Sequence, residues 1–354
     1  MTASDYGHGG GVFAAAKLLN RPWTEIIDFS ASINPFGQCK GLKKYIFDNF
    51  AATLHYPEVD AQSLLEVVAK RHNLTPDHFL PGAGSTVLIY AVARLLGGKR
   101  NVILGPAFSE YENALKVAEK SFVYFNLQED DQFLLTENQL DRLLDLSPNL
   151  IFLANPANPT GRLTPAPVYK KLLDECETRK IQLIVDEAFL DFTFGATIAR
   201  KTSRNDRLII LRSLTKIMAI PGLRLAYLIA GPEVINRLKP LIGPWPLSYP
   251  ALAAGVYYLT TQFVKPTLSI DKLRSALTKV LQPYGEVCPS EANYLLFKYN
   301  PEKVLDLLAF LFKKGILVRD AQNFNGLTLG YLRFATRPLG EIKVLAQSLA
   351  EFHA

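Results

Sequence analysis

The chain has 354 residues, 49% of them hydrophobic and 20% charged, and carries a formal net charge of +6. That balance excludes a disordered or collagen-like chain and leaves ample apolar material for one large globular unit or two closely packed ones. No run approaches the ~20 apolar residues of a membrane span, and the first residues lack the basic flank and apolar block of a signal peptide, so a soluble cytoplasmic protein without a membrane partner is expected.

Cys39, Cys176 and Cys288 lie far apart and form no Cys-x-x-Cys pair, which points neither to a disulfide framework nor to a zinc site; no metal is expected. The lysines and arginines are dispersed, with no basic block interleaved with aromatics, so nucleic acid is not an expected partner. The surplus positive charge is read instead as focusing anionic substrates toward a cleft.

In chain order, residues 1–40 are rich in glycine and small polar side chains and read as an arm that must pack on something else, here a smaller domain, to be ordered. Residues 41–245 read as a large domain. Its apolar runs at 101–104, 150–154, 181–185, 207–211 and 225–229 predict buried strands of a mostly parallel sheet covered by helices, an α/β architecture. Each run ends in a polar or Gly/Pro cluster, so the chemistry falls at the carboxyl ends of strands, where open α/β sheets bind ligands. Around Gly243-Pro244-Trp245-Pro246 the texture changes, and residues 246–354 read as a small α+β domain with a helix from about Ala251 and strands at 293–298 and 316–319.

Four features in the large domain carry chemistry. Gly82-Ala83-Gly84-Ser85-Thr86 precedes a helical run at 87–96, so glycines would let amides converge at a helix N-terminus beside two hydroxyls; this is a phosphate cradle, although the same pattern also serves as a plain N-cap. Asn155-Pro156-Ala157-Asn158-Pro159-Thr160-Gly161 follows a core strand and forms a stiff turn able to aim an amide at a cleft. Asp186 ends the strand at 181–185, where a carboxylate needs a partner. Lys216 follows the next strand in Ser213-Leu214-Thr215-Lys216, with Arg224 eight residues on. Singly these are an N-cap, a turn, a salt-bridging acid and a surface lysine. In this order they supply an amine, hydroxyls, an arginine and a strand-end carboxylate, the parts that hold and activate pyridoxal 5′-phosphate (PLP).

With those residues in view the chain resembles a fold-type I PLP enzyme of the class I/II aminotransferase superfamily over nearly its whole length. The resemblance implies that Lys216 carries the cofactor aldehyde, that Asp186 pairs with the pyridine nitrogen and that Asn158 bonds the ring oxygen. It also implies phosphate contacts from Gly84, Ser85, Thr86, Ser213, Thr215 and Arg224, and ring stacking by Phe108. Phe189 stands where many relatives have Tyr, so a second bond to the ring oxygen is absent. Tyr56, in His55-Tyr56-Pro57, matches a tyrosine that reaches the cofactor phosphate of a neighbouring subunit, which implies a homodimer with shared sites.

Two branches of the superfamily resemble the chain most, histidinol-phosphate aminotransferases and threonine-phosphate decarboxylases of cobalamin biosynthesis, both acting on phosphorylated amines. His8-Gly9-Gly10-Gly11 and Asp28-Phe29-Ser30-Ala31-Ser32-Ile33-Asn34-Pro35 resemble the decarboxylase branch, where such segments line the substrate pocket. Ser32 stands where that branch usually has Asn. The resemblance assigns Arg333 to the substrate carboxylate and Arg319 with His8 to the substrate phosphate, with Gly9 and Ser32 nearby.

Overall fold

The computed structural model describes residues 9–261 and 265–354. His8 lies outside the described residues. The strands, in chain order, are β1 Ile27–Asp28, β2 Phe79–Gly82, β3 Asn101–Gly105, β4 Phe122–Asn126, β5 Leu150–Ala154, β6 Gln182–Asp186, β7 Leu208–Ser213, β8 Ala226–Ile229, β9 Glu286–Val287, β10 Tyr294–Lys298, β11 Ile316–Leu317, β12 Arg319–Asp320 and β13 Tyr331–Ala335.

Seven of them form one sheet in the order β2-β8-β7-β6-β5-β3-β4. Pairing is parallel from β7 through β4, while β8 runs antiparallel to both β7 and β2. The central strands are apolar on both faces for a simple reason: successive side chains feed two different cores. Leu183 and Val185 of β6 enter one cluster and Ile184 the other; Leu208 and Ile210 of β7 face the first, Ile209 and Leu211 the second.

Register then fixes the site. Ala154 lies beside Asp186, Asp186 beside Leu211, and Ser213 beside Ala226. The ends of β5, β6 and β7 therefore stop at one level, and the segments leaving them, the Asn155 turn, Glu187 and the Lys216 turn, open onto a common crevice.

A second, antiparallel sheet has the order β12-β13-β10-β9, and β1 pairs in parallel with β11. The run expected as one strand at 316–319 is two, because the chain changes neighbours at Val318: β11 pairs with β1 and β12 with β13. Phe29 joins the core of this second unit, and Ala15 and Ala16 of the helix Val12–Leu19 pack on Ile26 and Leu317. The helix Tyr249–Thr260, capped by Ser248, buries Ala251, Leu252, Ala254 and Tyr258 in the same cluster as Leu64 and Leu225 of the larger unit. That cluster also takes in Ile270, Tyr294, Leu296 and Tyr331, so one core runs continuously under both units.

Candidate active site

A cavity of about 760 Å³ opens between the two units, within the size range of small-molecule sites. Asp186 sits at its floor. The Tyr111 hydroxyl donates to Asp186 Oδ2 at 2.8 Å and the Ala188 N–H donates to Oδ1 at 2.9 Å. Burial nonetheless raises the carboxyl above its usual range; the Tyr111 bond and the charges of Lys216 and Arg212 only oppose that shift. Tyr111 is itself held by stacking on Phe152, with ring centroids 5.0 Å apart and planes 6° off parallel, and by the edge of Phe108.

Lys216 lies in a one-turn helix, Leu214–Ile217, that begins where β7 ends. Its Nζ donates to Thr215 Oγ1 at 3.0 Å, and Ser213 Oγ and Thr215 Oγ1 are 2.8 Å apart. Burial lowers the amine to about 8, helped by Arg224 and Arg333 and opposed by Asp186. The turn is fastened from outside: Asn34 N–H donates to the Lys216 carbonyl and Asn34 Nδ2 to that of Ile217.

The segment expected to cradle a phosphate leads into the helix Ser85–Leu96, with Gly84 at its N-cap. Gly84 has φ +90° and ψ 162°, a conformation open essentially to glycine alone, and a Cβ there would overlap the Arg224 guanidinium. Arg224 has left-handed backbone (φ +57°), and it lines the cavity together with Ser85, Thr86 and Phe108.

The opposite wall comes from the smaller unit. Arg319 and Arg333 are paired directly across β12 and β13, both buried, and both line the cavity. Like charges directly opposite repel, and burial removes the water that would screen them; Asp320 beside Arg319 and Asp28 beside Arg333 offset part of that repulsion. Arg333 Nη1 donates to Asn158 Oδ1, Nη2 donates to the Ser30 carbonyl, and Nε is buried without a partner. Burial lowers this guanidinium to about 10, which leaves it charged at neutral pH. Arg319 Nη2 donates to Asn323 Oδ1 at 2.7 Å, and its guanidinium lies over the Phe324 ring. Ser32 Oγ is buried in the same wall, also without a partner.

The fold thus gathers Ser85, Thr86, Phe108, Asn158, Asp186, Lys216 and Arg224 around one cavity with Gly9, Ser32, Arg319 and Arg333. Ser213 and Thr215 stand behind Lys216, and Gly84 behind Arg224. Tyr56 is elsewhere on this chain: it is 83% exposed and stacks on Trp245. The sequence assigned no individual role to Tyr111, Asn323, Asp28, Ser30 or Asn34, although residues 28–35 were expected as a segment to line the pocket. Of these, only the Asp-Phe-Ser and Ile-Asn-Pro text around residues 28–35 carried a signal.

The aminotransferase class I and II family model matches residues 24–349. The chain belongs to that family. It is 34% identical over 99% of its length to the threonine-phosphate decarboxylase of Salmonella typhimurium, covering 97% of that protein. A histidinol-phosphate aminotransferase from Caldanaerobacter subterraneus is 30% identical, with 96% of each chain covered. Among solved structures, an L-threonine-O-3-phosphate decarboxylase from Porphyromonas gingivalis superposes with a TM-score of 0.81 at 26% identity, covering 92% of this chain and 99% of that one.

Class I and II aminotransferases depend on PLP, and the residues present fit it. A desolvated carboxylate with only neutral hydrogen-bond donors suits a cationic ring nitrogen. The glycine backbone beside Arg224, at a helix N-terminus, suits a phosphate, and a lysine lowered to about 8 suits attack on an aldehyde.

Proposed function

We propose that this chain decarboxylates L-threonine O-3-phosphate to (R)-1-amino-2-propanol O-phosphate, with PLP held at Lys216, in the making of cobalamin. The observation that carries the reading is the Arg319–Arg333 pair, two buried guanidiniums on one wall of the cavity that holds Lys216. A substrate bearing a carboxylate and a phosphate satisfies both at once; histidinol phosphate offers only the phosphate, and in its transamination the second guanidinium would be matched by a carboxylate of the 2-oxoacid partner. The sequence similarity to threonine-phosphate decarboxylases supports the same reading.

PLP, when bound, supplies an electron sink for the pair of electrons left on Cα. The residues of this chain do the rest. Asp186 holds the ring nitrogen protonated, and its own burial makes a cationic partner favourable. The Arg333 bond to Asn158 Oδ1 leaves the amide Nδ2 to donate to the ring oxygen. Phe108 would stack on the ring, and Ser85, Thr86 and Arg224 would hold the phosphate, with Ser213, Thr215 and Gly84 around them. Arg333 would grip the substrate carboxylate, and Arg319, with His8 and Gly9, its phosphate; Ser32 would offer a hydroxyl between them. Two anchors at opposite ends would fix how the bonds to Cα are oriented, and so which of them is cleaved. With the carboxylate held for cleavage, CO2 would leave and Lys216 Nζ would deliver the proton that replaces it on Cα.

A second reading, transamination of histidinol phosphate, is favoured by the 30% identity to an aminotransferase of that substrate. It uses the same residues with Cα–H perpendicular instead. The test is to supply the PLP-loaded protein with L-threonine O-3-phosphate, and in parallel with histidinol phosphate plus 2-oxoglutarate. CO2 from the first supports the decarboxylase; glutamate from the second alone overturns it.

We further propose a cytoplasmic homodimer with Tyr56 reaching the partner's cofactor phosphate. Phe36, Phe47, Phe50, Leu54, Tyr56 and Trp245 are all exposed on this chain, and a partner subunit seated there would cover them. No helix among the described residues is long and apolar enough to cross a membrane.

A further inference from the structure

Ser30 is buried at the junction of the N-terminal segment, the smaller unit and the cavity, and each of its polar groups is committed. Its N–H and its hydroxyl both donate to Asp28 Oδ1, at 2.8 and 2.5 Å, and the Ala31 N–H donates to the same oxygen at 3.2 Å. The Ser30 hydroxyl oxygen in turn accepts from the Gly10 N–H at 2.8 Å. Its carbonyl accepts from Arg333 Nη2 at 2.8 Å, from a residue 303 positions away. Gly9 lies so close that a Cβ there would overlap the Ser30 carbonyl oxygen.

The geometry points to Ser30 as a positioning residue that couples the seating of Gly9 and Gly10 to the aim of Arg333. The inference rests on Arg333 as the carboxylate anchor proposed above. One side of Ser30 holds the arm and the other holds the guanidinium, with Asp28 locking the residue between them. When Gly10 is seated, the Ser30 carbonyl is fixed and takes up one Arg333 donor, leaving the remaining Nη protons for a carboxylate. When the arm lifts, the hydroxyl loses a donor and the carbonyl loses the neighbour that confines it, so the guanidinium is tethered by Asn158 alone. A ligand that draws the arm down at one end therefore sharpens the grip on its carboxylate at the other. The requirement for glycine at position 9 follows from close approach: any side chain there pushes the carbonyl out of line with Arg333.

The test uses the PLP-loaded protein and four variants, Ser30→Ala, Gly9→Ala, Arg333→Lys, and Gly9→Ala with Arg333→Lys. Binding of L-threonine O-3-phosphate is followed by the change in the cofactor's visible spectrum, and the arm by amide hydrogen exchange of the peptide covering residues 9–19. Ser30→Ala and Gly9→Ala should each weaken binding about tenfold, the loss expected for one hydrogen bond, with PLP affinity unchanged within twofold. In the Arg333→Lys background Gly9→Ala should cost clearly less than it does in the parent, because the part of its effect that passes through Arg333 is gone and only its own contact with the substrate phosphate remains. Arg333→Lys should also speed exchange in the arm, whose bond is to the Ser30 hydroxyl and not to Arg333.

If Arg333→Lys leaves binding unchanged, the carboxylate anchor itself is wrong and the coupling falls with it. If Arg333→Lys weakens binding but the effects of Gly9→Ala and Arg333→Lys multiply in full, or arm exchange is unmoved, the anchor stands and the coupling is overturned. Gly9→Ala changes no polar group, so a Ser30→Ala protein that fails to fold leaves the inference fully tested.

Discussion

Tyr111→Phe removes one hydroxyl and nothing else. Tyr111 and Asp186 are both buried and share a 2.8 Å bond, which leaves Asp186 only the Ala188 N–H once the hydroxyl is gone. A hydrogen bond to a charged acceptor contributes about 1.5–3 kcal/mol. Losing it should push the carboxyl further up, because the Tyr111 bond is the first of the effects that oppose burial. Affinity for PLP near neutral pH should fall roughly 10- to 100-fold, since the ring nitrogen then meets a weaker anion. The stability effect has a definite sign. Asp186 already titrates above its unfolded range because of burial, so its stabilising contribution is present at low pH and lost as pH rises through the folded value. The substitution pushes that value higher, so the cofactor-free variant should come nearest the parent at low pH, where the carboxyl is protonated in both, and fall increasingly behind as pH rises, by up to about 1.5–3 kcal/mol once it is ionised in both. Urea unfolding across that range, with PLP titration at pH 7.5, measures both effects, and Asp186→Asn is the control background in which Tyr111→Phe should matter little. A stability loss independent of pH, or one that persists undiminished in Asp186→Asn, would refute the reasoning.

Capture of PLP by the cofactor-free protein, followed at 420 nm, should accelerate with pH and level off above about 8, because only the neutral Lys216 amine attacks and burial holds it near that value; a rate still climbing toward 10 would show an ordinary lysine. Arg333→Ala should weaken L-threonine O-3-phosphate binding by roughly 100-fold or more, the scale of a desolvated charge pair, and PLP binding far less; isothermal titration of each ligand separates the two. Tyr56→Ala and Lys216→Ala proteins, each impaired alone, should recover activity when unfolded and refolded together, because a mixed dimer has one site with both residues. No recovery would place Tyr56 in its own chain's site or in none.

Much of the fold was legible because the central strands bury both faces, so 101–104, 150–154 and 225–229 stand out as unbroken apolar runs. The edges were not. β4 is only partly buried, and β2 contains Pro81, which a sheet tolerates on an edge but which reads as a loop in a sequence. Gly243 to Pro246 lead into the helix Tyr249–Thr260, and that its apolar side joins a core shared by both units could not be read from the local sequence. In the site, Lys216, Asp186, Asn158 and Arg224 could be read because each ends or follows a strand and carries unusual chemistry for its place. Tyr111 could not, since a tyrosine in a helix's first turn is indistinguishable from a core aromatic until its hydroxyl is seen to reach Asp186, 75 residues away. Arg319 and Arg333 were visible as residue types, but their direct opposition depends on the register of β12 against β13, which no local pattern encodes.

The most direct test of the central claim follows one labelled molecule. L-threonine O-3-phosphate carrying 13C in its carboxyl group is incubated with the PLP-loaded protein in D2O and watched by NMR. The account predicts that the label leaves as CO2 and bicarbonate while a single deuteron appears on the former Cα. A carboxyl signal that stays in place while Cα–H exchanges for deuterium would contradict it, and would mean that this cavity sets the hydrogen, not the carboxylate, perpendicular to the ring.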